Sequence, residues 1–143
     1  MNITVELTEN KNYKELARIY VQEFSKKPFN EKWTEQKALK KIEICSKYCD
    51  IFEIKSNREI VGFIIVNINF WDFEDCVCGE DIAIKKEFQN KGVGKIVFNK
   101  IFGYYKKKGY KKFYGIIIAE RLKFYENLGL KPSKQSIFAE KKL

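Results

Sequence analysis

The 143-residue chain has no histidine, one methionine and two prolines. Without histidine, the usual general base near neutral pH and the commonest zinc ligand are both missing, so proton transfer falls to carboxylates, phenols or water. Two prolines and eight glycines, spread along the chain, exclude collagen-like, linker-like and low-complexity organisation. Long apolar runs are lacking too: Ile60 to Val66 and Ile116 to Ala119 fall far short of the roughly 20 residues that cross a bilayer. The opening Met1-Asn2-Ile3-Thr4-Val5-Glu6 carries neither a basic nor an apolar signal region, so a cytoplasmic location and no membrane partner are expected.

What is present is the material of one core. Hydrophobic residues make up 45% and charged residues 33%, enough apolar surface to offset chain entropy in a single domain spanning 1–143. The four cysteines, Cys45, Cys49, Cys76 and Cys78, read as free thiols; their spacings are not the usual zinc-knuckle pattern, and no metal is expected. The net charge of +9, from 28 Lys+Arg against 19 Asp+Glu, points to a polyanionic partner, either nucleic acid or a phosphate-bearing cofactor. Much of the excess is local, in Lys106, Lys107, Lys108, Lys111 and Lys112 around Gly109.

Periodicity organises the chain. Ile3 to Leu7 alternates as a strand, and Thr8 or Asn10 is placed to cap a helix whose stripe is Leu16, Ala17, Tyr20, Val21 and Phe24. Thr34 caps a second helix with a buried face of Ala38, Leu39, Ile42, Cys45 and Cys49. Ile51–Ile54 and Ile60–Val66 form a hairpin about Ser56-Asn57-Arg58-Glu59, and a strand runs from Cys76 to Ile84. A long helix follows with Val93, Ile96, Val97, Ile101 and Tyr104 on one face, ended by Gly109. Lys112–Ile118 is β-branched enough to predict a central strand, Glu120–Leu128 a short helix, and Ser136–Lys141 a last strand. The order β, α, α, β, β, β, α, β, α, β predicts an α/β (α+β) sandwich with a mixed sheet.

The sharpest local signal is a strand that runs into a glycine-bearing loop and then a helix. Gly92 and Gly94 leave main-chain N–H groups uncovered at the helix start, and Lys91 and Lys95 add charge, a suitable site for a pyrophosphate. A dinucleotide fingerprint would need glycine at 97, which is Val97. An ATP-type loop would need glycine at 89 and serine or threonine at 96, which are Gln89 and Ile96.

Gln89, Gly92 and Gly94 resemble the Q/R-x-x-G-x-G/A loop of the GNAT superfamily of N-acetyltransferases. Glu80-Asp81-Ile82-Ala83-Ile84 resembles the strand before that loop, and Phe124-Tyr125-Glu126-Asn127-Leu128-Gly129-Leu130 resembles the family's F-Y-E-x-L-G-F signature. The resemblance implies a central sheet of about six or seven strands with about four helices. It implies acetyl-CoA as co-substrate, with Gln89, Asn90, Lys91, Gly92, Val93, Gly94 and Lys95 on the pyrophosphate and the backbone of Ile82, Ala83 and Ile84 along the pantetheine and acetyl carbonyl. It also implies that Tyr125 lies near the thioester sulfur. The sequence departs from the family at Ile118, where Asn is common, and at Arg121, where a small residue is common.

The chemistry asks for a neutral amine, an oxyanion donor and a proton for the departing thiolate. Tyr125 is the candidate acid, and Glu80 or Asp81 the candidate base, with Glu80 favoured; alternation would put Glu80 on the face of Ile82 and Ile84, opposite Asp81. Phe29, Trp33, Trp71, Asp72 and Glu74 combine aromatic walls with carboxylates, which suits a cationic small-molecule amine; peptide N-termini or lysines are the second acceptor class. Two readings of another class are an RNA surface of lysines with Tyr104, Tyr105, Tyr110, Phe113 and Tyr114, and a catalytically silent CoA sensor. The absence of a known RNA-binding pattern disfavours nucleic acid, and monomer and homodimer both stay open.

Overall fold

The computed structural model describes residues 1–69 and 74–143. In chain order the elements are β1 (Ile3–Leu7), α1 (Tyr13–Phe24), α2 (Glu35–Cys45), β2 (Cys49–Ser56), β3 (Glu59–Asn67), β4 (Cys76–Ile84), α3 (Val93–Lys107), β5 (Lys112–Gly115) and α4 (Leu122–Glu126). The strands lie in one sheet in the order β1-β2-β3-β4-β5. The first four are antiparallel neighbours, and β5 joins β4 in parallel because α3 carries the chain back across the sheet.

Side-chain alternation sorts the strands onto two layers. Ile51, Phe63, Ile65 and Ala83 pack under α1 and α2 with Leu16, Ile19, Tyr20 and Ile42, while Phe52, Ile64, Val66 and Val77 pack under α3 with Val93, Val97, Phe98 and Ile101. Apolar demand from both faces explains the unbroken hydrophobic run of β3. The hairpin turn uses Asn57 and Arg58, with φ of 49° and 79°, the left-handed pair that a two-residue turn needs to match strand twist.

Several expectations are corrected. The sheet has five strands rather than six or seven among the described residues. Ser136–Lys141 forms no strand: Ile137 and Phe138 remain 93% and 76% exposed, so the alternating pattern finds neither a paired edge nor a packed face. β5 is an edge strand that stops at Gly115, and Ile116 beyond it is 80% exposed. Cys49 opens β2 instead of closing α2, and α3 buries Phe98 and Tyr105 in place of Ile96 and Tyr104. Thr34 does cap α2, accepting from the Lys37 N–H at 3.2 Å. Thr8, by contrast, donates its hydroxyl to buried Glu53 at 3.0 Å, and Asn12 donates to the same oxygen at 2.7 Å.

Candidate active site

The site begins where two parallel strands part. The pairing of β4 with β5 ends at Gly79↔Gly115, and the ladder of β4 with β3 slips there as well: Val66 pairs with Gly79 and Ile65 with Asp81, leaving Glu80 unopposed. An extra residue of this kind bends a strand and sharpens its twist, so β4 turns away from β5 at Glu80. Gly79 is required at the divergence because a Cβ there would lie 2.8 Å from the Phe113 ring. The opening is a cleft of about 120 Å³ whose walls include Glu80, Asp81 and Ile82 from β4, Ile116–Ile118 after β5, Tyr125 from α4, and Phe24 and Phe29 from α1 and the segment after it.

The glycine-bearing loop follows β4 directly. Asn90 and Gly92 have φ of 58° and 80°, and Gly92 is the N-cap of α3 with no side-chain cap. The first amides of a helix have no partner within it, and here the Ile96 N–H is the one that returns to the Gly92 carbonyl. A Cβ on Gly92 would meet nothing within 4 Å, and Lys91, Gly92 and Lys95 are exposed at the helix start while Val93 between them is buried. Gly94 has a different task, since a Cβ there would come within 3.0 Å of the Phe124 ring. Gln89 positions the loop: its Nε2 donates to the Ile84 carbonyl at 2.6 Å and to Glu23 Oε1 at 2.8 Å, tying the loop to β4 and α1. The side chain of Gln89 is therefore committed, and its main-chain N–H is as well, donating to the Lys86 carbonyl at 3.1 Å, so Gln89 shapes the loop and the donors for an anion lie beyond it. The Ile84 carbonyl is likewise taken.

The bulge changes which way the carboxylates face. Asp81 pairs with Ile65 and Cys78 with Asn67, on the α1/α2 side of the sheet, and Asn67 Nδ2 donates to Glu80 Oε1 at 3.0 Å. Both acids thus share that side, which corrects the expected alternation of Glu80 with Ile82 and Ile84. They differ in partners. Asp81 Oδ2 accepts from Lys41 Nζ at 2.5 Å and from the Tyr20 hydroxyl at 3.1 Å, whereas Glu80 is exposed with the Asn67 amide as its neighbour. Burial, then the Asp81 carboxylate, pushes the Tyr20 phenol well above its ordinary value. The sequence assigns no site role to Lys41, Tyr20 or Asn67. Tyr20 reads as a core aromatic, and Lys41 meets Asp81 across 40 positions, a pairing with no local signature.

Tyr125 forms the opposite wall. Its ring packs on Phe98 and Phe124 at centroid distances of 5.5 and 5.1 Å. Burial raises its pKa against the lowering influence of Arg121, so the phenol stays protonated at neutral pH. Arg121 lies with its guanidinium 5.8 Å from the Phe29 ring centre, spanning the cleft between the α4 side and the α1 side. Burial first, then neighbouring Cys45 and Glu80 respectively, lifts the Cys49 and Cys78 thiols to about 12 and about 11 and leaves them poor nucleophiles.

The other sequence candidates distribute unevenly. Phe29 lines the cleft, and Trp33 packs edge-on against Tyr20 at 4.6 Å. Glu74 is not brought to the cleft: it precedes the paired end of β4 and bonds Lys112 Nζ at 3.0 Å. Trp71 and Asp72 lie outside the described residues. Ala83 is buried under α1 and α2, so only its backbone is available to a ligand, while Ile82 and Ile84 pack on the α3 side.

Comparison with known proteins agrees with this geometry. The family model described as the acetyltransferase (GNAT) family matches residues 11–130. No curated protein matches the chain. Among solved structures, a possible acetyltransferase from Clostridium difficile 630 is 12% identical and superposes with a TM-score of 0.83 over 100% of this chain and 99% of its own. AAC(6')-Iy, in complex with the bisubstrate analog CoA-S-monomethyl-acetylneamine, is 17% identical with a TM-score of 0.77 over 100% of both chains. A ribosomal-protein-alanine N-acetyltransferase from Brucella melitensis biovar Abortus 2308 is 14% identical with a TM-score of 0.76 over 99% of both. At these identities the likeness is one of fold.

Proposed function

The chain belongs to the acetyltransferase (GNAT) family of acyltransferase enzymes, and we propose that, acting as one domain over 1–143, it transfers an acetyl group from acetyl-CoA to a primary amine of a cationic small molecule. The observation that carries this reading is the parting of β4 from β5 beyond Gly79↔Gly115, with the exposed helix N-terminus at Gly92 following β4 in the chain and Tyr125 on the facing wall.

The residues fit coenzyme A. The loop from Gln89 to Lys95, past the Gln89 N–H itself, offers main-chain donors, a helix N-terminus and two exposed lysines to a diphosphate, and the strand edge from Ile82 to Ile84, apart from the Ile84 carbonyl, offers main-chain groups to a pantetheine arm. When bound, acetyl-CoA supplies the acyl group already activated as a thioester. Glu80, exposed at the bulge and oriented by Asn67, takes a proton from the acceptor ammonium, directly or through a water. The main-chain N–H groups of β4 past the bulge donate to the carbonyl oxygen as it gains negative charge. Tyr125, kept protonated by burial, delivers its proton to the departing sulfur.

An aminoglycoside-like or polyamine-like acceptor is supported by the carboxylates and aromatic rings of the α1/α2 side of the cleft, and by the fold shared with AAC(6')-Iy. A protein N-terminus or lysine is the second reading, favoured by the fold shared with the ribosomal-protein-alanine N-acetyltransferase. The test is thiol release from acetyl-CoA over a panel of aminoglycosides, polyamines and alanine-starting peptides. Turnover with the cationic small molecules supports the proposal. Preference for the peptides reassigns the acceptor, and CoA binding without release for any amine leaves a silent sensor.

A further inference from the structure

Lys41 occupies a site whose chemistry is that of an ammonium receptor. Its Nζ donates to Asp81 Oδ2 at 2.5 Å and to the Tyr20 hydroxyl at 2.8 Å, and it lies 5.1 Å from the centre of the Tyr20 ring and 5.5 Å from that of Trp33. A carboxylate, a phenol oxygen and a neighbouring indole ring are what a primary ammonium selects when it leaves water. The receptor is more rigid than its occupant. Tyr20 is 1% exposed and stacked on Phe63, and Trp33 is braced by its indole N–H donating to Glu31 at 2.6 Å. The side chain of Lys41 is 34% exposed against 15% for Asp81, on a four-carbon stem free to swing outward from α2. Asp81 is also the immediate neighbour of Glu80, and the bulge turns both to the same side of β4.

Resting on the reading that the acceptor is a cationic amine, we infer that Tyr20, Trp33 and Asp81 form a subsite for a second ammonium group of that acceptor, and that Lys41 is a resident occupant which the acceptor displaces. The substrate class is then a diamine or polyamine, one nitrogen presented to Glu80 and another held beside Asp81. Consecutive Cα atoms stand about 3.8 Å apart, so nitrogens separated by a short carbon chain can reach both acids.

The test compares the native protein with K41M and K41R, using 1,4-diaminobutane and n-butylamine as acceptors. K41M removes the competitor and leaves the subsite, so the ratio of KM for n-butylamine to KM for 1,4-diaminobutane should rise about tenfold, as loss of a competing charge-assisted contact of ordinary strength implies. K41R, which keeps a cation in place, should restore the native ratio. Binding is read separately, by calorimetry of 1,4-diaminobutane with each protein in the absence of acetyl-CoA. K41M also leaves the Asp81 carboxylate without a cation, with the Tyr20 hydroxyl as its remaining donor, so its melting temperature should fall and be recovered by millimolar 1,4-diaminobutane. A ratio that stays level or falls, or a lowered melting temperature that the diamine does not recover, would make Lys41 a structural strut and overturn the inference. Tighter diamine binding by K41M, with no amine acetylated by any variant, would support the subsite while removing the transferase reading, so the two fail separately.

Discussion

Tyr125 is placed where burial works in favour of an acid. Desolvation raises its pKa, so at neutral pH the phenol is fully protonated, and its loss of a proton lies above the ordinary value of 10.0. Y125F should lower kcat roughly a hundredfold, within the range for loss of a general acid, while KM for acetyl-CoA changes little. In the native enzyme the alkaline fall of kcat from this group should begin only above pH about 10. Unchanged turnover in Y125F would assign the ring to packing on Phe98. Glu53 shows the opposite balance. Burial alone would raise its pKa, but hydrogen bonds from Lys55, Asn12 and Thr8 outweigh it and hold the carboxyl below its ordinary 4.5. Because the folded value is the lower one, its stabilisation is present above pH 4.5 and is lost as pH falls through the folded value. E53Q should cost about 1 kcal/mol at pH 7, because Lys55 keeps Glu6 as a partner, and should flatten the acid limb of a plot of melting temperature against pH. An acid limb as steep as that of the native protein would transfer the acid sensitivity to other carboxylates.

At the scale of elements, the hairpin turn offers a clean stability test. Arg58 at φ 79° carries the strain of a left-handed side chain, so R58G should stabilise the fold by about 0.5 kcal/mol, the left-handed penalty less the extra entropy glycine loses on folding. A lower denaturation midpoint would mean that Arg58 makes a contact worth more than its strain. Elements of this kind were legible in the sequence because their signals are local: the stripe from Leu16 to Phe24, the cap at Thr34, Asn57-Arg58 between alternating runs, and the loop at Gly92. The bulge at Glu80 had no such marker, since an extra residue in a period-two run looks like an ordinary strand until its partner is known. The same holds for Ile116–Ile118, whose β-branched residues announce burial although the chain has left the sheet by then. Lys41 reads as an exposed helix residue until α2 is laid beside β4.

Across the whole molecule, charge and architecture act together. A net charge of +9 attracts polyanions from a distance, and on the proposed reading the N-terminus of α3 is where acetyl-CoA docks. KM for acetyl-CoA should therefore rise several-fold between 20 mM and 500 mM salt, as the Debye length contracts from roughly 20 Å to about 4 Å, while kcat holds. A salt-independent KM would limit recognition to short-range contacts. The lysine-rich segment from Lys106 to Lys112 stands at the opposite terminus of that helix from the Gly92 loop, where Lys108 lies over the Tyr104 ring and Lys112 pairs with Glu74.

On the proposed reading, main-chain amides of the Gly92 loop and the diverging half of β4 hold coenzyme A. Amide hydrogen exchange with and without saturating CoA addresses those groups one peptide at a time. Slowed exchange in peptides covering Gln89–Ile96 and Glu80–Ile84, with little change around Lys106–Lys112, is the predicted result. Slowing confined to Lys106–Lys112, or no slowing at a CoA concentration that saturates calorimetric binding, would contradict it.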